Sequence, residues 1–238
     1  MDAAQTIRDC MTQVNTLRQL RAADPALARA VAEVKAFQSR RFTGTYADLL
    51  ATPTYAPAAR FFLDELYGEA DYSERDAQFG RIAGALQTLF PQPVVHTAVA
   101  LAQLHAQTEA LDQSMAQAWL SALPDSAPTE RYAHAWRAVG QRPARETQLQ
   151  GVLEMGQDLA RLTRTPGLRM MLRMMRGPAQ AAGMGSLQHF LEAGFDTFGQ
   201  LTRQRGALDH FLKSIRNRES TLMEALFRNE PIIGDVPN

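Results

Sequence analysis

Three histidines stand at helical spacing from a carboxylate: His105 with Glu109, Glu130 with His134, and His189 with Glu192. Residues three or four apart share a helix face, so each pair resembles a fragment of a metal site in a bundle core. A di-metal site of that kind needs two Glu-x-x-His motifs, and the chain has none. Sorting by face weakens the idea further. Glu130 and His134 fall opposite Tyr132, Trp136 and Val139, and His189 and Glu192 fall opposite the stripe from Leu187 to Leu201. Both pairs are expected to face water as local ion pairs. Only His105, with Glu109 and Asp112 near it, approaches an apolar boundary. No metal and no cofactor is expected.

A second set of residues is charged where its helix stripe is oily. Glu219 interrupts the series Leu208, Phe211, Leu212, Ile215, Leu222 and Leu226. Arg75 extends the stripe of Phe79 and Ile82, and Arg145 extends that of Leu149, Val152 and Gly156. A buried carboxylate without a partner is costly, so Glu219 is expected to pair with Arg75 or Arg145 in the interior. The group serves either as a strut or as the polar spot of an apolar pocket. Asp71 and Asp76 suit a helix cap and a helix-start charge better than an acid pair.

The segment LRMMLRMMR (168–176) is the candidate partner surface. Arg169, Arg173 and Arg176 cluster within about 60° on an ideal helix, and Met170, Met171, Met174 and Met175 take much of the other side. No acidic residue occurs from Leu159 through Leu191. Methionines in such a row usually fill a core, and basic faces are usually solvated. Otherwise the face fits an acidic protein or ligand, or an anionic membrane surface. Nucleic acid fits poorly, since no aromatic stands there to stack on bases. Phe61 joins this surface on paper. It lies among Arg60, Asp64 and Glu65, opposite Phe62, Leu63, Leu66 and Tyr67, so its helix is clasped by neighbours or by a partner. GMGS (183–186) precedes a helix but follows no strand, and is no dinucleotide fingerprint.

These residues need helices to position them, and helix punctuation is dense. Asp24-Pro25 opens a helix to about residue 40, and Thr45 caps a short one to Leu50. Further helices are predicted over about 58–67, 71–90, 93–121, 129–139, 143–164, 165–177, 186–205 and 207–229. Gly68 is a left-handed stop, and Gly177-Pro178 ends the basic helix. The expectation is an all-α, compact bundle of about nine or ten helices. Residues 1–230 form one helical domain with a possible seam at LPDSAP (123–128), and 231–238 are a frayed tail.

Composition narrows the function classes. At 238 residues and 45% hydrophobic, the chain can bury a sizeable core. Its 25 basic and 25 acidic residues cancel, which removes any global pull towards nucleic acid or anionic lipid. Basic charge sits on 23 Arg against two Lys, Lys35 and Lys213, a bias that suits a GC-rich bacterial genome. Cys10 is the only cysteine, which excludes an internal disulfide and fits a reducing compartment. The opening MDAAQTIRDCMTQVN does not read as a signal peptide, and no window approaches a membrane span. A cytoplasmic protein is expected.

The run FFLDELYGEADYSERD (61–76), with RYAHAWRAVG (131–140) and LQHFLEAGFDTFGQL (187–201), resembles an uncharacterised family of bacterial helical proteins. Its members carry FFL-x-x-LYG-x-x-D-x-x-x-RD near the start and FLE-x-GF near the end. The resemblance implies an all-helical fold and carries no activity, substrate or catalytic residue. The leading functional expectation is a non-enzymatic binding protein whose partner, a protein or a second copy of the chain, meets Arg169, Arg173 and Arg176. The alternative is a bundle holding an apolar small molecule or haem, with Arg75, Arg145 and Glu219 in its pocket. A haem would look to His105 or His96.

Overall fold

The protein is described here by a computed structural model that covers residues 2–66, 71–122, 126–228 and 230. Among the described residues there are twelve α-helices and no strand. They are α1 (Ala3–Ala23), α2 (Pro25–Thr45), α3 (Ala47–Ala51), α4 (Ala56–Phe61), α5 (Ser73–Leu89), α6 (Gln92–Ser121), α7 (Pro128–Val139), α8 (Arg142–Thr163), α9 (Leu168–Met174), α10 (Arg176–Ala181), α11 (Gly185–Leu201) and α12 (Ala207–Arg228). A π-helical turn, Phe62–Leu66, continues α4. The expected stop at Gly68, the tail at 231–238 and part of the seam at 123–128 lie outside the described residues.

Local chemistry sets most boundaries. Asp2 caps α1 by accepting from the backbone N–H groups of Ala4 and Gln5, and Asp24 caps α2 through those of Ala26 and Leu27. Pro25 and Pro93 sit in first turns, where a missing N–H costs nothing. The helix expected over 165–177 is corrected. Gly167 adopts φ 77° immediately before α9, and the chain turns again at Met175. Pro178 does not end a helix; it is the third residue of α10, again in a first turn.

At 30 residues, about 45 Å, α6 is the longest helix and packs against α1, α2, α7 and α8. It buries residues on several faces, as a central helix must. The interior divides into two apolar clusters. The larger gathers Ile7, Phe42, Tyr46, Phe62, Leu153, Phe198 and Phe211 among others. The smaller holds Val34, Phe37, Met115, Trp119, Tyr132 and Leu226, with Phe37 stacked on Tyr132. Helices α2, α6 and α12 each contribute to both clusters, so the division crosses helices instead of following the chain.

Charge fills the boundary. Along α6 the order is Ala102 in the large cluster, then His105, Glu109, Asp112 and Gln113, then Met115 in the small one. Glu109 is 4% exposed. It accepts from Arg21 Nη1 at 2.5 Å and Lys35 Nζ at 2.6 Å, while Arg21 also donates to Gln113 at 2.7 Å. Asp112 accepts from Gln38 at 3.3 Å, with Lys35 Nζ at 3.9 Å. Further along, Arg41 meets Glu219 at 2.5 Å and Tyr46 donates its hydroxyl to the same carboxylate oxygen at 2.8 Å.

The two α6 carboxylates are poised in opposite directions. Burial alone would raise Glu109, but Lys35 and Arg21 overcome it and hold its pKa at about 2. Burial and the Glu109 charge raise Asp112 above its ordinary value, with Lys35 too distant to reverse it. Glu109 therefore stabilises the fold above its unfolded value of 4.5, and that contribution disappears as pH falls through about 2. Ionised Asp112 works against stability at neutral pH. Glu109→Gln is expected to cost about 3–5 kcal/mol at pH 7, because it leaves the buried Arg21 and the half-buried Lys35 short of a partner. Urea unfolding should show that deficit shrinking as pH is lowered from 7 towards 3. Asp112→Asn is expected to leave stability at pH 7 unchanged or raised.

Candidate functional site

The stripes of α5 and α11 do not close on each other. Phe79, Ile82 and Leu86 of α5, with Phe90 after it, face Leu187, Phe190, Leu191 and Phe195 of α11 across an open seam. The first turns of α6 supply Val94, Thr97, Ala98 and Leu101, and the end of α8 supplies Met155, Leu159 and Leu162. Phe61 forms the floor, its ring 3.1 Å from where a Cβ on Gly194 would stand, so that close approach needs glycine. Leu168 and Leu172 of α9 lie across the top.

The result is a cleft of about 120 Å³. Thr97 is its one polar residue among the described residues, and the Thr97 hydroxyl donates to the Pro93 carbonyl of its own helix at 2.9 Å. Among the described residues no side-chain donor of the lining is left for a guest. A dry, apolar space of this size is on the scale of cavities that hold a benzene-sized molecule.

A smaller hollow adjoins it, sharing Phe79, Leu101, Leu187 and Phe190 and adding Arg75, Asp76 and His105. Asp76 is 5% exposed. One of its oxygens receives Arg18 Nη2 at 2.5 Å and sits 2.7 Å from His105 Nε2. Burial pushes the Asp76 pKa up, but bonds from His105 and Arg18 outweigh it and hold it below the usual range. Arg75 donates to the Glu65 carbonyl at 3.0 Å and lies over the rings of Tyr72 and Phe190, at 4.1 and 4.5 Å. The arrangement orders charge. It holds no nucleophile beside its histidine among the described residues, and no three His, Cys, Asp or Glu side chains there converge for a metal.

The family model for a domain of unknown function, DUF8198, matches residues 17–232. The chain belongs to that family. No curated protein and no solved structure matches it. The DUF8198 match includes every residue of the cleft and the adjoining ionic cluster.

In this DUF8198 chain the residues expected as one buried polar group are apart. Glu219 pairs with Arg41 and Tyr46, not with Arg75 or Arg145. Arg75 borders the cleft. Arg145, 4% exposed, sits 3.4 Å over the Trp136 ring and donates to the Gly140 carbonyl at 3.1 Å. Burial lowers its pKa, against the pull of Tyr132 and Asp112. Only one of the three therefore touches a pocket of the apolar kind. Phe61 is 6% exposed and packs on Phe190 and Phe198, so it forms no partner surface. Its helix is clasped by neighbours.

Arg169, Arg173 and Arg176 are exposed on α9 and α10, with Arg169 bound to Asp196 at 2.7 Å and Arg176 to Glu192 at 2.5 Å. The methionines beside them are not core filling: Met170, Met174 and Met175 face water. Among the histidine pairs, Glu130, His134 and His189 are exposed as expected. His105 and Glu109, expected near an apolar boundary, lie half-buried and buried, and they bind Asp76 and the Arg21–Lys35 pair instead of each other. Asp76, read as a helix-start charge, is a buried node.

Sequence reasoning missed Arg18 and Arg21, and the signal was present. They continue the stripe of Ile7, Met11 and Val14 at alternating steps of four and three. Part of the cleft lining falls in the α5 and α11 stripes, but periodicity cannot distinguish a wall from a filled interior.

Removing the node separates the two aspartates. Asp76→Asn is expected to lower unfolding free energy at pH 7 by about 3–5 kcal/mol, since Arg18 loses its buried partner. Asp71 is exposed and accepts from the Ser73 N–H at 2.9 Å; Asp71→Asn keeps a capping oxygen and should change stability by under about 0.5 kcal/mol.

Proposed function

We propose that the protein is a cytoplasmic, non-enzymatic binding protein that holds an apolar small molecule in the cleft beneath α9. The observation that carries this reading is the lining: aliphatic and aromatic side chains from five helices and the Phe61 floor, with the Thr97 hydroxyl, its proton already donated to Pro93, as the one polar side chain among the described residues. Such a site recognises hydrocarbon, not a charged metabolite. Arg75 and the Asp76–His105 pair at the adjoining hollow supply polarity at one edge for a guest with a polar end.

Haem fits poorly. No histidine lines the cleft; His105 Nε2 is engaged by Asp76, and His96 is exposed. The free volume is nearer a single small ring than a macrocycle. The lone Cys10 and the arginine-rich composition support a reducing, bacterial cytoplasm. No helix among the described residues is long and apolar enough to cross a membrane. Residues 1–230 are taken as one helical unit, because α2, α6 and α12 feed both apolar clusters.

The test is titration with benzene, a neutral single-ring hydrocarbon of the cleft's size, followed by calorimetry. The wild-type protein is expected to bind one benzene per chain and to rise in melting temperature at saturation. Ala98→Phe fills the cleft from α6 and Leu172→Trp fills it from α9; each should remove benzene binding with helical circular dichroism unchanged. No benzene binding to the wild type, or binding unaltered in both variants, overturns the reading. Native mass spectrometry of freshly purified protein then identifies any resident guest.

A further inference from the structure

The outer face of α9 and α10 carries a combination that a water-facing surface normally avoids. Met170 is 65% exposed, Met174 71% and Met175 38%. On an ideal helix Met170 points opposite the inward pair Leu168 and Leu172, Met174 lies about 40° from it, and Arg173 flanks the row. Large apolar groups clustered in water mark a contact surface.

The chain segment that carries this row has charge of one sign, and the carboxylates of α11 offset it in part. Residues 159–191 contain five arginines and no carboxylate. Arg161, Arg169 and Arg176 are each bound to a carboxylate outside that stretch: Asp158, Asp196 and Glu192. Arg164 and Arg173 are exposed and form no salt bridge among the described residues. Exposed methionines, with two exposed arginines of the same segment outside any salt bridge, match the two demands of an anionic bilayer surface. The unbranched thioethers enter the acyl boundary, and the guanidinium groups meet lipid phosphates. A folded protein partner would require a fixed complement for three rotamer-rich side chains, whereas a fluid interface accepts them in any rotamer.

We propose that the α9–α10 face docks on anionic phospholipid membrane, with Met170, Met174 and Met175 inserted and Arg164 and Arg173 on the headgroups. The outcome is peripheral attachment with the cover of the apolar cleft against the lipid. Docking uses only exposed side chains between Arg164 and Met175 and needs nothing in the cleft, so this proposal and the ligand reading stand or fall on separate measurements.

The experiment is co-sedimentation with vesicles of phosphatidylcholine alone or containing about one-third phosphatidylglycerol, in low and high salt. The wild-type protein is expected to sediment with the anionic vesicles and not with the neutral ones, and to be released by salt. Reversing Arg164 and Arg173 together to Glu should weaken binding by at least about tenfold. The double change Met170→Ser with Met174→Ser should weaken it comparably while leaving the salt dependence in place. All four positions face water, so folding is not at stake; reversing the exposed Arg8 and Arg29 changes total charge equally and should leave binding intact. No sedimentation with anionic vesicles, or equal sedimentation of all variants, overturns the proposal. Binding to soluble polyaspartate as tight as to vesicles, and indifferent to the methionine changes, also overturns it and assigns the face to an acidic polypeptide.

Discussion

Glu109 is buried at the midpoint of the longest helix, between a guanidinium from α1 and an ammonium from α2. Taking these charges out of water is expensive, and only close mutual contact offsets it. The contact exists only if α1 and α2 are set against α6 at one axial position each. A slip of one turn moves Arg21 about 5 Å and strands both charges. Apolar packing tolerates such slips far better, because one leucine resembles another. The ionic layer therefore does for this bundle what a buried polar residue does in a coiled coil: it fixes register. His105 extends the same constraint to α5 through Asp76, and Arg41 extends it to α12 through Glu219.

Once that layer is set, the α5–α11 side of the larger cluster has little freedom left. Helix α5 is held at its start by Asp76, and Gln78 accepts from the Leu187 N–H at the start of α11 at 2.8 Å. Those anchors lie at one end. Beyond them, Ile82, Leu86 and Phe90 run on past the α11 stripe without meeting it closely, and the cleft is the remainder. Gly194 and Gly156 bring other contacts of α11 and α8 to full density, Phe61 against one and Leu212 against the other. The interior is tight where glycines permit approach and open between α5 and α11 beyond the anchors at their starts.

The legible part of this molecule was its periodicity. Stripes such as Phe79–Ile82–Leu86 and Leu187–Phe190–Leu191 repeat at helical spacing, and punctuation gave α6, α8 and α12 to about a residue, whereas α2 runs on to Thr45, five residues past its expected end, and Thr45 caps no helix. The ionic layer is also written in the sequence, in a form easily overlooked. His105, Glu109, Asp112, Ala116 and Trp119 step by four and three along α6, as do Leu27, Val31, Val34, Gln38 and Arg41 along α2. Charged residues in those registers belong inside. Which cation meets which carboxylate was not legible, because pairing between helices far apart in the chain depends on packing order. The misreading of α9 has a related cause. Met-rich periodicity identifies a helix but not its sidedness, and only Leu168 and Leu172 turned out to be its inner face.

That sidedness makes α9 the weakest wall of the cleft. Seven residues are too few to hold a helix by their own hydrogen bonds, so packing and tethers must supply the order. Its tethers to α11, Arg169 with Asp196 and its neighbour Arg176 with Glu192, stand largely in water, where ion pairs contribute little and salt screens them. The other walls are long helices locked by the buried layer and by aromatic contacts such as Phe61 on Phe190. Gly167 and Gly183, both at positive φ, bracket the α9–α10 segment and need no side chain to be accommodated if it swings. Any path into the apolar space therefore costs least through the segment whose outer face is methionine and arginine.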